Sequence, residues 1–155
     1  MTHFDTTRPH LPRRLRRRVG LVLERTANAF LVCSEDVLVP FTIRLVYDSA
    51  DPYAAQIHFP GLDKQRRATI WFLARSLLEE GQRVLTGEGD ALVIPCGEGW
   101  TGLELRGTTG STTVLIAGTT LQDFIAATYQ TVPAGHEHHL IDLDDGLADL
   151  LDEVC

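Results

Sequence analysis

Apolar and polar residues alternate over much of the chain, and the alternation is of two kinds. From Val39 to Tyr47 the residues Phe41, Ile43, Leu45 and Tyr47 alternate with Thr42, Arg44 and Val46. A period of two puts one face of a strand inward. Before it lies a long extended segment from Val19 to Val32, with an expected interruption at Thr26-Ala27-Asn28 and a turn at Ser34-Glu35-Asp36. Further strands are predicted near Ala54 to Phe59 and Arg67 to Phe72, then a short helix from about Ala74 to Glu80. The pattern then repeats, with strands near Gln82 to Thr86, Ala91 to Cys96, Gly102 to Arg106 and Thr112 to Ala117, joined by glycine-rich connections. Loops this short cannot make a parallel crossover, so each group of four reads as an antiparallel meander.

The second helix has the strongest period of 3.6, because Leu121, Phe124, Ile125 and Thr128 share one face. Thr120 with Asp123 suggests a capping box. A last segment places Leu143, Leu147, Leu150 and Leu151 on one helical face, with Asp142, Asp144 and Asp145 where a helix dipole favours negative charge, and is weakened by Gly146. The expected fold class is therefore α+β: two antiparallel four-stranded β-sheets packed on each other, with interposed and C-terminal helices. Its 155 residues suffice for one core that buries roughly two thirds of the unfolded surface. Residues 1–15 read as a disordered arginine-rich leader and 16–155 as a single domain.

Two runs stand out from this periodic background. Tyr47-Asp48-Ser49-Ala50-Asp51-Pro52-Tyr53-Ala54 is a sharp reversal in which Asp51 can accept backbone hydrogen bonds and Pro52 fixes one dihedral. Trp71-Phe72-Leu73-Ala74-Arg75-Ser76-Leu77-Leu78-Glu79-Glu80-Gly81 passes from strand to helix, with Gly81 expected to close the helix in the left-handed conformation. Together with Thr86-Gly87-Glu88-Gly89-Asp90 and Val132-Pro133-Ala134-Gly135-His136-Glu137, these runs resemble the SsgA-like sporulation and cell-division family of actinomycetes. The resemblance covers roughly residues 19 to 152 and departs from the family at the long arginine-rich leader. It implies a Whirly-like fold, a homotrimer, and a non-enzymatic adaptor that helps localise or assemble the tubulin-like division protein FtsZ at septa, directly or through an SsgA-like relative.

Charge changes the picture at the two ends. Residues 1–25 hold seven arginines against Asp5 and Glu24, whereas after Arg106 no Lys or Arg remains and eight acids run from Asp123 to Glu153. The ends should attract one another. Arg13, Arg14, Arg16, Arg17 and Arg18 are candidate contacts for a partner or a polyanion, and Trp100, in a glycine-rich stretch, is a candidate exposed interface anchor. The alternative function is a single-stranded nucleic-acid-binding module, since Whirly proteins bind single strands and these arginines could neutralise phosphates. Against it stand the net charge of −7 and a body that balances to −12 from residue 26 onward.

Catalytic and metal readings find little support. His136, His138 and His139 flank Glu137, but the spacing does not put two ligands on one helical face, so no metal and no cofactor is expected. Gly87-Glu88-Gly89 and Gly97-Glu98-Gly99 lack the lysine of a phosphate loop and read as hairpin turns. No serine sits in a nucleophile elbow, so the expectation is no enzyme. Cys33, Cys96 and Cys155 are odd in number and far apart; the first two read as reduced thiols buried in strands. The apolar stretch after Arg18 meets Glu24 within five residues, too soon for an export signal, and no run approaches the roughly 20 residues of a membrane span. A cytoplasmic protein is expected, recruited to septa if the resemblance holds.

Overall fold

A computed structural model describes residues 20–61, 67–108 and 110–139. Strands β1 (Val22–Ser34), β2 (Val37–Asp48), β3 (Ala54–Phe59) and β4 (Thr69–Ala74) lead into helix α1 (Arg75–Gly81). Strands β5 (Ala91–Pro95), β6 (Trp100–Gly107) and β7 (Gly110–Ala117) lead into helix α2 (Gly118–Thr131), and a 3-10 turn follows at Glu137–His139. The two meanders do not form separate sheets. All seven strands make one curled antiparallel sheet in the order β4-β3-β2-β1-β7-β6-β5.

The seam explains this correction. β1 runs unbroken for 13 residues, without the expected interruption at Thr26-Ala27-Asn28, and is long enough to serve two partners. It pairs with β2 along most of its length and, from Ala29↔Ile116 to Val32↔Thr113, with β7. The predicted strand at Gln82 to Thr86 is also absent. Only Thr86 bridges to Val93, and Val84 and Leu85 are exposed.

The core lies on the concave side, where Ile43, Leu45 and Tyr47 of β2 are buried as their alternation predicts, with Ala55 and Ile57 of β3 and Val114 and Ile116 of β7. The helices contribute Leu78, Leu121, Phe124 and Ile125. Gly81 ends α1 by a different logic from the one expected. It is a buried helical residue with ordinary φ, and a Cβ there would run into the Val93 side chain, so glycine sets how closely α1 approaches β5. Nor does α2 use Thr120 and Asp123 as a cap. It starts at Gly118, whose N–H donates to the Gly99 carbonyl at 2.7 Å, and no side chain caps it. The first orphan donor is satisfied from a hairpin instead. The segment holding Leu143 to Leu151 lies outside the described residues.

Candidate functional site

Three of the four runs that carry the family resemblance meet at one buried arginine. Arg75, at the strand-to-helix junction of the second run, is 1% exposed. Its Nη2 donates to Glu137 Oε1 at 2.7 Å and its Nη1 to the Thr128 carbonyl at 3.0 Å. The guanidinium carbon lies 4.0 Å from the Tyr129 ring centre and 5.4 Å from that of Tyr47. Tyr47 in turn donates its hydroxyl to the Pro52 carbonyl at 2.9 Å, which ties the first run to the node. Glu137 comes from the Pro-Ala-Gly-His-Glu run, where its Oε2 accepts from Gly135 N at 2.8 Å.

This arrangement is a clasp. Desolvating a guanidinium is costly unless it is paired and its donors are satisfied. Here one carboxylate, one carbonyl and two aromatic faces do that, although Nε has no acceptor among the described residues. The hydrogen bond from Arg75 holds the Glu137 carboxyl below its ordinary range. Burial, with a hydrogen bond to Glu79, pushes the Tyr129 hydroxyl up to about 12, and burial also raises Tyr47. Both Glu137 oxygens are engaged by protein groups, so the node offers no free base.

The residues singled out from sequence fall elsewhere. Arg13, Arg14, Arg16, Arg17 and Arg18 lie outside the described residues. Trp100 opens β6 rather than sitting in a loop, and it is half-buried, its ring edge-on to Phe30 with centroids 5.2 Å apart. The indole therefore packs in part against β1, through Phe30, and keeps part of its surface open. Cys33 and Cys96 are exposed rather than buried. Cys33 occupies the register shift between Val32 and Ser34, and Cys96 lies in the turn after β5. The Asx role in the first run belongs to Asp48, whose Oδ1 accepts from Ala50 N at 2.9 Å, instead of Asp51. Among the described residues no group of three or more His, Cys, Asp or Glu is placed to hold a metal ion, and no helix is long and apolar enough to cross a membrane.

Sequence reasoning missed the surfaces. The outer face of the sheet carries a polar chain across three strands: Arg44 donates to Glu24 Oε1 at 3.0 Å and to His58 Nδ1 at 3.0 Å, and His58 Nε2 lies 2.9 Å from Gln56 Oε1. Burial and the Arg44 charge lower the His58 pKa. Beside it Ile70 and Phe72 of β4 are 47% and 60% exposed, and at the tip of the β1–β2 hairpin Val37, Leu38 and Val39 are exposed too. On the concave side a cleft of about 260 Å³ opens between β4 and the β6–β7 hairpin.

Comparison with known proteins agrees with this architecture. The family described as "Streptomyces sporulation and cell division protein, SsgA" matches residues 41–137. The sporulation-specific cell division protein SsgB of Streptomyces coelicolor is 35% identical over 126 residues, covering 79% of this chain and 90% of that protein. SsgB of Thermobifida fusca is 33% identical, covering 78% and 88%. The crystal structure of an SsgA-like sporulation-specific cell division protein from Thermobifida fusca superposes with a TM-score of 0.73 at 31% identity, over 84% of this chain and 96% of that one. A second solved structure, from work relating mutations in SsgB to longitudinal cell division in Streptomyces coelicolor, also gives 0.73, at 29% identity over 79% and 98%. With a family match from within β2 through both helices to Glu137, and relatives covered over about nine-tenths of their length, the chain belongs to the SsgA family of sporulation and cell division proteins.

Proposed function

We propose that this protein acts without catalysis in sporulation-specific cell division, as an adaptor that helps localise or assemble the FtsZ machinery at septa. The observation that carries the reading is the similarity to SsgB proteins over most of both chains. The node at Arg75 supports it, because both Glu137 oxygens and both terminal guanidinium nitrogens are engaged by protein groups, which leaves no free carboxylate there to act as a base. On the same reading the curled sheet is a Whirly-like one, residues 16–155 form the domain behind a basic leader, and the protein is cytoplasmic and drawn to septa. Self-association as a homotrimer is part of it, and the exposed Val37, Leu38 and Val39 at the hairpin tip are the surface proposed to mediate it.

The test is genetic. Deleting the gene in its actinomycete host and imaging a fluorescent FtsZ in sporulating hyphae should show fewer or misplaced septal ladders, restored by the intact gene. Unaltered ladders and normal spore chains in the deletion strain would end the adaptor reading.

A further inference from the structure

We infer that His58 is a proton-operated latch on the outer face of the sheet: neutral, it pins the Arg44 side chain across β2 and β3, and protonated, it lets that guanidinium go. Nothing in this depends on septation, since it rests on one cross-strand cluster and not on what the protein assembles. Four polar side chains meet there. Arg44 and His58 are direct partners in the β2–β3 ladder. Gln56 lies two residues before His58 on the same face of β3, and Glu24 reaches Arg44 diagonally from β1, where its own partner is Val46.

Hydrogen-bond chemistry fixes the state of the ring. A guanidinium has donors and no acceptor, so the 3.0 Å contact from Arg44 Nη2 requires a lone pair on His58 Nδ1. The ring is then neutral, with its proton on Nε2, which donates to Gln56 Oε1 at 2.9 Å. Protonating Nδ1 would set an N–H against an N–H, and a cation against a cation, across the same 3.0 Å. The two outer contacts survive that change. Nε2 still donates to Gln56, and Arg44 Nη1 still donates to Glu24 Oε1 at 3.0 Å. Only the middle bond is lost, so the chain of contacts parts between β2 and β3 with each half held on its own side.

The surroundings carry the change to the surface. Among the described residues, Arg44 and Glu24 are the charged groups that act on His58. The β4 residues opposite His58 and Gln56 are Ile70 and Phe72, both apolar and exposed. With the latch closed, Arg44 and Glu24 offset one another in charge. Opening it adds one positive charge beside the apolar pair and loosens a guanidinium that is already half exposed. Burial and the Arg44 charge favour the neutral ring, so the latch is closed at neutral pH and opens on acidification.

Heteronuclear NMR of the full-length protein tests this, because imidazole nitrogens report protonation and tautomer directly. At neutral pH His58 should show a proton on Nε2 and none on Nδ1, and it should titrate below the ordinary histidine value of about 6.5. Arg44→Gln should raise that midpoint and Glu24→Gln should lower it further, since the two remove charges of opposite sign at exposed positions. The Arg44 Nε resonance should shift with the same midpoint as the ring, and His58→Gln should abolish that step. A neutral ring with its proton on Nδ1 would overturn the inference. So would a midpoint that neither charge substitution moves, or an Arg44 resonance that does not follow the His58 titration, because either makes the cluster a static surface contact.

Discussion

Arg75 contributes to stability through three different kinds of contact at once, and pH separates them. The Glu137 carboxyl is held low by its bond to Arg75, so its contribution is full above the unfolded pKa and is lost as pH falls through the folded value. Urea midpoints should therefore decline below about pH 5, and Glu137→Gln should flatten that decline. The tyrosines act in the opposite direction. Their raised values mean a contribution complete below about pH 10 and lost as pH climbs toward the Tyr129 value of about 12, so Tyr129→Phe should lessen alkaline unfolding. Tyr47→Phe removes a hydroxyl from the buried Pro52 carbonyl and should cost about 1 to 2 kcal/mol in denaturant titrations. An unchanged midpoint would mean the carbonyl finds water. None of this was legible in sequence, where Arg75 was one polar residue in an apolar run. Charged residues are ordinarily exposed, and this one is buriable because of partners 53 and 62 positions away in sequence.

At the level of elements, alternation found the strands and their inward faces, since a buried face leaves its period in the residues themselves. It could not find the sheet count. Two consecutive meanders look alike whether they stack or join, and the join here depends on four residue pairs of β1 with β7. The repeated pattern predicts a strand at Gln82 to Thr86, but a strand needs a neighbour, and among the described residues this segment is bridged to β5 at Thr86 alone. Gly81 shows the same limit, because its role is a distance between elements. Gly81→Ala should destabilise by about 1 to 3 kcal/mol through overpacking against Val93, with Val93→Ala in the same chain recovering part of the loss. If the single substitution leaves the thermal midpoint unchanged, the close approach of α1 to β5 is not a constraint.

For the whole molecule, charge and exposed apolar surface make separable claims. A body that balances to −12 from residue 26 opposes polyanions, so single-stranded oligonucleotides should bind with dissociation constants on the order of 10⁻⁴ M or weaker at physiological salt. Submicromolar binding that collapses when Arg13, Arg14, Arg16, Arg17 and Arg18 become serine would restore the nucleic-acid alternative. Light scattering at micromolar concentration should give a trimer that Val37→Glu with Val39→Glu converts to monomer, and a monomer without substitution would remove the assembly claim. The β1–β7 seam also has a consequence in time. Residue 29 pairs with residue 116, so a nascent chain presents the far edge of β1 to the cytosol until β7 leaves the ribosome, a delay on the order of 5 to 15 seconds at ordinary elongation rates. Throughout that interval the first meander is an open sheet at both sides, and stalled translation before residue 110 should yield aggregates rather than a folded half.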